Sequence, residues 1–179
     1  MRIKSLTLLL VLAMIFVCLA GCDISFTDPV LKRRESISNF LEKDVAGEIG
    51  ETYNTKWFKF TIQSIDKVST YKDHTAKAGF QLYQASITIK STSEENIPMG
   101  TFDFYMDAPD FDEYIWSLPP LDDSMMPEKY DLKPDETVNY TMVFEVPADT
   151  AELALLYTES HEGGKDGAAF AFLVDGLGG

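Results

Sequence analysis

The chain has 179 residues, 45% of them hydrophobic and 25% charged, and its 15 Lys and Arg stand against 29 Asp and Glu for a formal net charge of −14. Such an acidic balance argues against nucleic acid as a partner, because phosphate binding needs clustered Lys and Arg that release counterions. It argues equally against adhesion to anionic lipid head groups by charge.

Arg2 and Lys4 precede an apolar run over residues 6–19 in which Thr7 is the only polar side chain, and Leu19-Ala20-Gly21-Cys22 closes it. A basic start, an apolar stretch and small residues just ahead of a cysteine are what lipoprotein processing requires. Residues 1–21 are therefore read as a lipoprotein signal peptide, with Cys22 as the acylated first residue of the mature chain. The run of 14 residues is shorter than the roughly 18 or more of a transmembrane helix. The implied location is the cell membrane, with the protein lipid-anchored through Cys22 and facing the extracytoplasmic side.

Removing the leader takes Arg2 and Lys4 with it, so 13 basic residues remain against 29 acidic ones, a balance of −16 over 158 residues. That length suits one domain and a tether. Cys18 leaves with the leader and Cys22 is consumed by the lipid, so the mature fold has neither thiol nor disulfide and must stand on its hydrophobic core. Thiol catalysis and cysteine zinc sites are excluded with them.

Residues 22–49 read as the lipidated tether. Thr27 or Asp28 before Pro29 makes a helix start, and Val30, Ile37, Phe40 and Leu41 fall near helical spacing, so part of the tether can be helical. From residue 50 to 179 the period changes to two, the signature of strands. Phe58, Phe60 and Ile62 alternate with Lys59 and Thr61, then shift phase to Ile65 and Val68 as a bulge would produce. Tyr83, Ala85, Ile87 and Ile89 make a second set, and Phe102, Phe104 and Met106 a third. Tyr114 to Trp116 reads as a short edge segment ahead of Pro119-Pro120. Val138, Tyr140, Met142, Phe144 and Val146 form the clearest strand, entered through the turn Lys133-Pro134-Asp135-Glu136. Leu153, Leu155 and Tyr157 supply another, and Phe170, Phe172 and Val174 the last, after a Gly163-Gly164 turn. About seven short strands with turn signals at intervals of roughly ten residues predict an all-β, antiparallel β-sandwich of immunoglobulin-like type.

Gly50-Glu51-Thr52 leading into Trp57-Phe58-Lys59-Phe60-Thr61-Ile62, Ile87-Thr88-Ile89-Lys90-Ser91-Thr92-Ser93, Leu132-Lys133-Pro134-Asp135-Glu136-Thr137 and Val143-Phe144-Glu145-Val146-Pro147 resemble the immunoglobulin-like domain of unknown function found in many Gram-positive lipoproteins. The resemblance spans about residues 47 to 174, and the family is in turn similar to a secreted mycobacterial immunogenic antigen. A label sometimes attached to it, telomeric repeat-binding factor, implies DNA binding, which the charge of −16 contradicts. The resemblance implies a sandwich and brings no catalytic site. The chain departs from the family pattern between Met106 and Lys129, where a long acidic, proline-rich and aromatic stretch stands.

That stretch carries the candidate site. Asp107, Asp110, Asp112 and Glu113, followed by Asp122 and Asp123, supply hard oxygen donors for a cation such as calcium, but the glycine turn and trailing bidentate acid of a dedicated loop are missing. The alternative is a solvated acidic loop. Phe111, Tyr114 and Trp116, with Met125 and Met126, offer aromatic and thioether surface suited to an interface, or else fold back over an open sheet edge. His74 and His161 sit among polar residues in expected loops, and no Gly-x-Ser-x-Gly elbow surrounds a serine. The reading is a non-enzymatic, membrane-anchored binding or interaction module that needs no cofactor and meets a protein partner in the cell envelope. A structural or accessory subunit of an envelope complex is the alternative, and a cation-binding or hydrolytic domain the third.

Overall fold

A computed structural model describes residues 44–161 and 165–174. The signal peptide, Cys22 and the tether up to residue 43 lie outside the described residues, as does the Gly163-Gly164 turn. Within them the chain forms β1 (Asp44–Gly47), β2 (Thr52–Asn54), β3 (Phe58–Val68), β4 (Thr70–Tyr71), β5 (His74–Thr75), β6 (Phe80–Ser91) and β7 (Ile97–Met99). A 3-10 turn over Thr101–Asp103 leads into β8 (Phe104–Asp107), β9 (Ile115–Trp116), β10 (Tyr130–Leu132), β11 (Thr137–Pro147), β12 (Ala154–His161) and β13 (Lys165–Leu173). Seven of these strands run four residues or more, and the other six are pieces of two or three too short to show a period.

Two sheets carry the fold. One has the order β1-β13-β12-β8-β9 and the other β11-β6-β3-β2, with β10-β7 and β4-β5 as small two-stranded additions. The alternation read from the sequence is the reason the sheets face one another: Phe58, Phe60, Ile62, Tyr83, Ala85, Ile87, Ile89, Met142, Phe144 and Val146 from the second sheet meet Phe104, Met106, Leu155, Tyr157, Phe170 and Phe172 from the first, with Leu153 just ahead of β12, in one core. Phe60 is its hub, with ring centroids 5.4 to 6.1 Å from Tyr53, Phe58, Phe104, Tyr157, Phe170 and Phe172. Edge-to-face and tilted pairs of this kind add to the stabilisation from burial alone. The phase shift after Ile62 is a bulge: the register of β3 on β6 slips between Ile62 and Ser64. The turn before β11 closes through Glu136 N–H donating to Lys133 O at 3.1 Å, with Asp135 at φ 59°.

Three expectations need correction. First, residues 44–47 belong to the sheet and not to the tether, because β1 pairs in parallel with β13, Val45 opposite Phe170 and Gly47 opposite Phe172. Gly47 makes this possible, since a Cβ there would lie 2.3 Å from the Phe172 ring. The pairing also makes one contact of the sandwich parallel. Second, Phe102 does not alternate inward with Phe104; it stands in the 3-10 turn, where Gly100 N–H donates to Asp103 Oδ2 at 2.7 Å, and its ring is 57% exposed. Third, the histidines are not in loops. His74 lies on β5 with Nε2 3.6 Å from Glu145 Oε1, and His161 ends β12.

Candidate functional site

The long stretch after β8 has two halves with different duties. Residues 117–126 run along β11 and satisfy its outer edge. Leu118 N–H donates to Val143 O at 2.7 Å, Met126 N–H to Thr141 O at 2.9 Å, Thr141 N–H to Ser124 O at 2.9 Å and Val143 N–H to Ser117 Oγ at 3.1 Å. An edge strand left with free donors and acceptors invites pairing with other chains, and this segment removes that hazard. Met125 and Met126 are buried beneath it, so they are not interface surface. Met125 joins Tyr71, Leu82 and Val143 in a second small core on the outer side of the sheet. Lys72 Nζ, 2.8 Å from Asp122 Oδ2, ties the β4-β5 hairpin to the same segment. Asp122 also accepts from Ser124 N–H at 2.8 Å, and the Lys72 and Ser124 bonds hold its carboxyl well below the usual carboxylate range.

The first half, with Phe102 from the 3-10 turn, is where side chains face solvent. Ile115 of β9 is buried while Tyr114 and Trp116 point out, 56% and 42% exposed. β9 pairs with β8, Trp116 opposite Tyr105, so the rings gather on the outer face of the five-stranded sheet. Tyr105 packs at a tilt against Tyr114 at 4.6 Å and Trp116 at 5.3 Å, and Phe102 meets Trp116 edge-on at 5.7 Å. Tyr105 is anchored by a 3.3 Å hydrogen bond between its hydroxyl and Thr158 Oγ1, and burial raises its pKa. Phe111, in the turn closed by its own N–H on Ala108 O, joins none of these ring pairs among the described residues. Two of the three aromatics singled out in sequence thus come together, and Phe102 and Tyr105 replace the third.

The proposed cation ligands are not assembled. Among the described residues no three His, Cys, Asp or Glu side chains form a group that could hold a metal ion. Asp107 ends β8, half-buried, its carboxyl raised by burial against a backbone hydrogen bond from Ala108, whereas Asp110, Asp112 and Glu113 stand exposed in the following turn. Adjacent numbering does not produce convergence here: the β8-β9 pairing brings the two ends of the segment together, yet Asp107 is half-buried at the end of β8 while the other three acids face solvent in the turn.

Beside the aromatic cluster lies a groove that sequence reasoning missed. It has a volume of about 560 Å³ and is lined by the paired strands β7 and β10 and the turns beside them, through Pro98, Met99, Gly100, Phe102 and Asp103 and through Glu128, Lys129, Tyr130 and Asp131. The two segments stay in close contact past the strand pair at Gly100, where a Cβ would lie 2.0 Å from the Glu128 carbonyl oxygen. A second hollow of about 220 Å³, walled by Trp57, Ile97, Tyr157 and Thr158, shares Pro98, Met99 and Asp103 with the first. Asp103 therefore sits at the junction. Burial raises its pKa, opposed by the Gly100 N–H bond. Its charge reaches both phenols: Tyr130 and Tyr157 are pushed far above the ordinary phenol range, mainly by burial, with Asp103 adding to each.

Residues 47–168 match the family described as a domain of unknown function, DUF4352. No curated protein matches the chain in sequence. Among solved structures, a Bacillus subtilis protein, ycdA, designated a candidate lipoprotein, superposes with a TM-score of 0.56 at 18% identity; the match covers 72% of this chain and 39% of that one, so this chain spans well under half its length. An uncharacterised β-sandwich protein of Clostridium difficile gives 0.51 at 15% identity over 74% and 95% of the two chains. The secreted protein MPT63 of Mycobacterium tuberculosis gives 0.51 at 10% identity over 75% and 100%. Likenesses this distant show the sandwich fold and carry no activity with them. The sandwich, its register and the sequence match agree, and the chain belongs to the DUF4352 family.

Proposed function

We propose that this protein is a lipid-anchored, extracytoplasmic binding module without catalysis, whose contact surface is the aromatic cluster on the outer face of the five-stranded sheet. The observation that carries it is the set of exposed rings, Phe102, Tyr114 and Trp116, packed on one another and on Tyr105 at a sheet edge. Large, rigid aromatic side chains give contact area at small conformational cost and dominate interface energetics. Asp110, Asp112 and Glu113 in the adjoining turn supply a negative field that steers a basic partner toward the rings. The likeness to a candidate lipoprotein and to a secreted protein supports an envelope location. Among the described residues no helix is long and apolar enough to cross a membrane.

Two experiments test this reading. Intact envelopes carrying the anchored chain are cross-linked and the captured protein is compared with that taken by a Tyr114→Ser/Trp116→Ser double variant. Capture should be lost while the unfolding transition stays within about 1 kcal/mol of the parent, since both side chains are exposed. Undiminished capture would move the contact surface elsewhere. The anchor is tested by Cys22→Ala, which should pass from the detergent phase to the aqueous phase or remain unprocessed, because acylation and cleavage both need that thiol. Unchanged detergent partitioning of a processed chain would place the anchor off Cys22.

A further inference from the structure

We infer that the groove lined by residues 98–103 and 128–131 receives an extended, Arg- or Lys-bearing segment of a protein partner; this rests on the binding-module reading above and names the chemistry of the partner. Shape is the first argument. The two hollows share Pro98, Met99 and Asp103, so they adjoin, one lined by Phe102, Glu128 and Tyr130 and the other by Trp57 and Tyr157. Two adjoining open hollows accommodate successive side chains of a stretch of chain, whereas sites for compact small ligands enclose most of the ligand's surface.

Charge complementarity is the second. Asp103, Glu128 and Asp131 line the groove against Lys129 alone, and Lys56 stands 4.7 Å over the Trp57 ring of the second hollow. Met99, Phe102 and Tyr130 supply apolar wall between the carboxylates. That mixture suits long basic side chains, whose aliphatic stems lie on apolar surface while their heads reach an acid. Arg fits best, since its planar head stacks on rings and donates two parallel N–H bonds to a carboxylate. Asp103 is the focal group. One oxygen accepts from Gly100 N–H, and an ionised carboxylate retains further acceptor sites. Its partial burial strengthens the attraction to an incoming cation.

Trp57 and Trp116 are the chain's two tryptophans, so Trp116→Phe leaves the groove residue as the single reporter. The full chain carrying Trp116→Phe, held in neutral detergent micelles, is titrated with a capped peptide of alternating Arg and Leu and with its Glu and Leu counterpart. Trp57 emission should shift with the basic peptide and not with the acidic one. Asp103→Asn, and separately the exposed pair Glu128→Gln/Asp131→Asn, should each weaken binding about tenfold. Asp66→Asn, on β3 away from the groove, should leave it unchanged. The inference is overturned by absence of a shift, by undiminished binding in the groove variants, or by equal weakening from Asp66→Asn, which would signal diffuse attraction to an acidic protein. The Glu128/Asp131 pair lies on the surface and keeps the test valid should Asp103→Asn disturb the 3-10 turn. Tyr114→Ser/Trp116→Ser replaces no residue of the groove lining, so loss of envelope capture by that variant, with no Trp57 shift on adding the basic peptide to the Trp116→Phe chain, would end the groove assignment alone.

Discussion

Phe144→Asp is expected to leave the chain unfolded. Phe144 lies in β11 directly opposite Tyr83 of β6, is fully buried, and faces the interior shared by the two sheets. A carboxylate placed there would have no cation to pair with in the surrounding apolar shell, and burying an unpaired charge costs several kcal/mol even after the group neutralises. Whole domains of this size are stable by only about 5–15 kcal/mol. Residues 44–174 contain no cysteine, so no disulfide offsets the loss. Far-UV circular dichroism and a urea titration check the outcome: the parent should show a cooperative transition and the variant none. A soluble, cooperatively unfolding Phe144→Asp chain would show that β11 presents its other face to the core.

Phe60→Ala should cost about 3–5 kcal/mol, at the upper end for a core truncation. Phe60 stands on β3, in the sheet opposite Phe104, Tyr157, Phe170 and Phe172, and its ring touches all four as well as Tyr53 and Phe58. Rings on two different sheets cannot both collapse into the space it vacates, so the cavity persists and adds to the lost transfer free energy. Equilibrium urea unfolding, two-state for a single domain of this length, measures the change as a lowered midpoint at similar slope. Phe102→Ala is the control. The same deletion at an exposed ring should cost less than about 1 kcal/mol, and a loss as large as that at Phe60 would mean that the outer cluster is part of the folding core.

The contrast between those two phenylalanines shows where reading the chain residue by residue stops working. Phe58, Phe60 and Ile62 alternate over enough positions for the period to name the inward face, and the slip at Ile62 to Ser64 is legible because the phase of that alternation changes with it. Phe102 joins the series Phe102, Phe104, Met106 on spacing alone, yet Gly100 and Asp103 form a 3-10 turn that lifts it out of the strand. Three positions are too few for periodicity to outweigh a local turn. β1 escaped notice for a similar reason: four residues without apolar alternation become a strand only because the edge of β13 is there to pair with.

The candidate site divides the same way. Tyr114 and Trp116 flank buried Ile115, an alternation that marks them as outward from sequence. Their partners Phe102 and Tyr105 are found only when β9 is laid against β8. Met125 and Met126 look like contact surface in a polar stretch, but the unsatisfied edge of β11 draws residues 117–126 onto itself and buries them. The groove has no sequence signal at all, since its walls come from segments some thirty residues apart that meet through the β7-β10 pairing.

What the chain determined by itself was the class of fold: the strand periods, the turn ahead of β11, and an apolar core whose strands carry no cysteine. These are properties of composition and of neighbours a few residues apart, which the backbone carries wherever the strand is placed. The tertiary structure alone decided which edge each short segment covers, which aromatics share a surface, and that Asp103 stands at the junction of two hollows. Those outcomes follow from pairing free backbone groups and filling volume between sheets, requirements that exist only once the sheets have met.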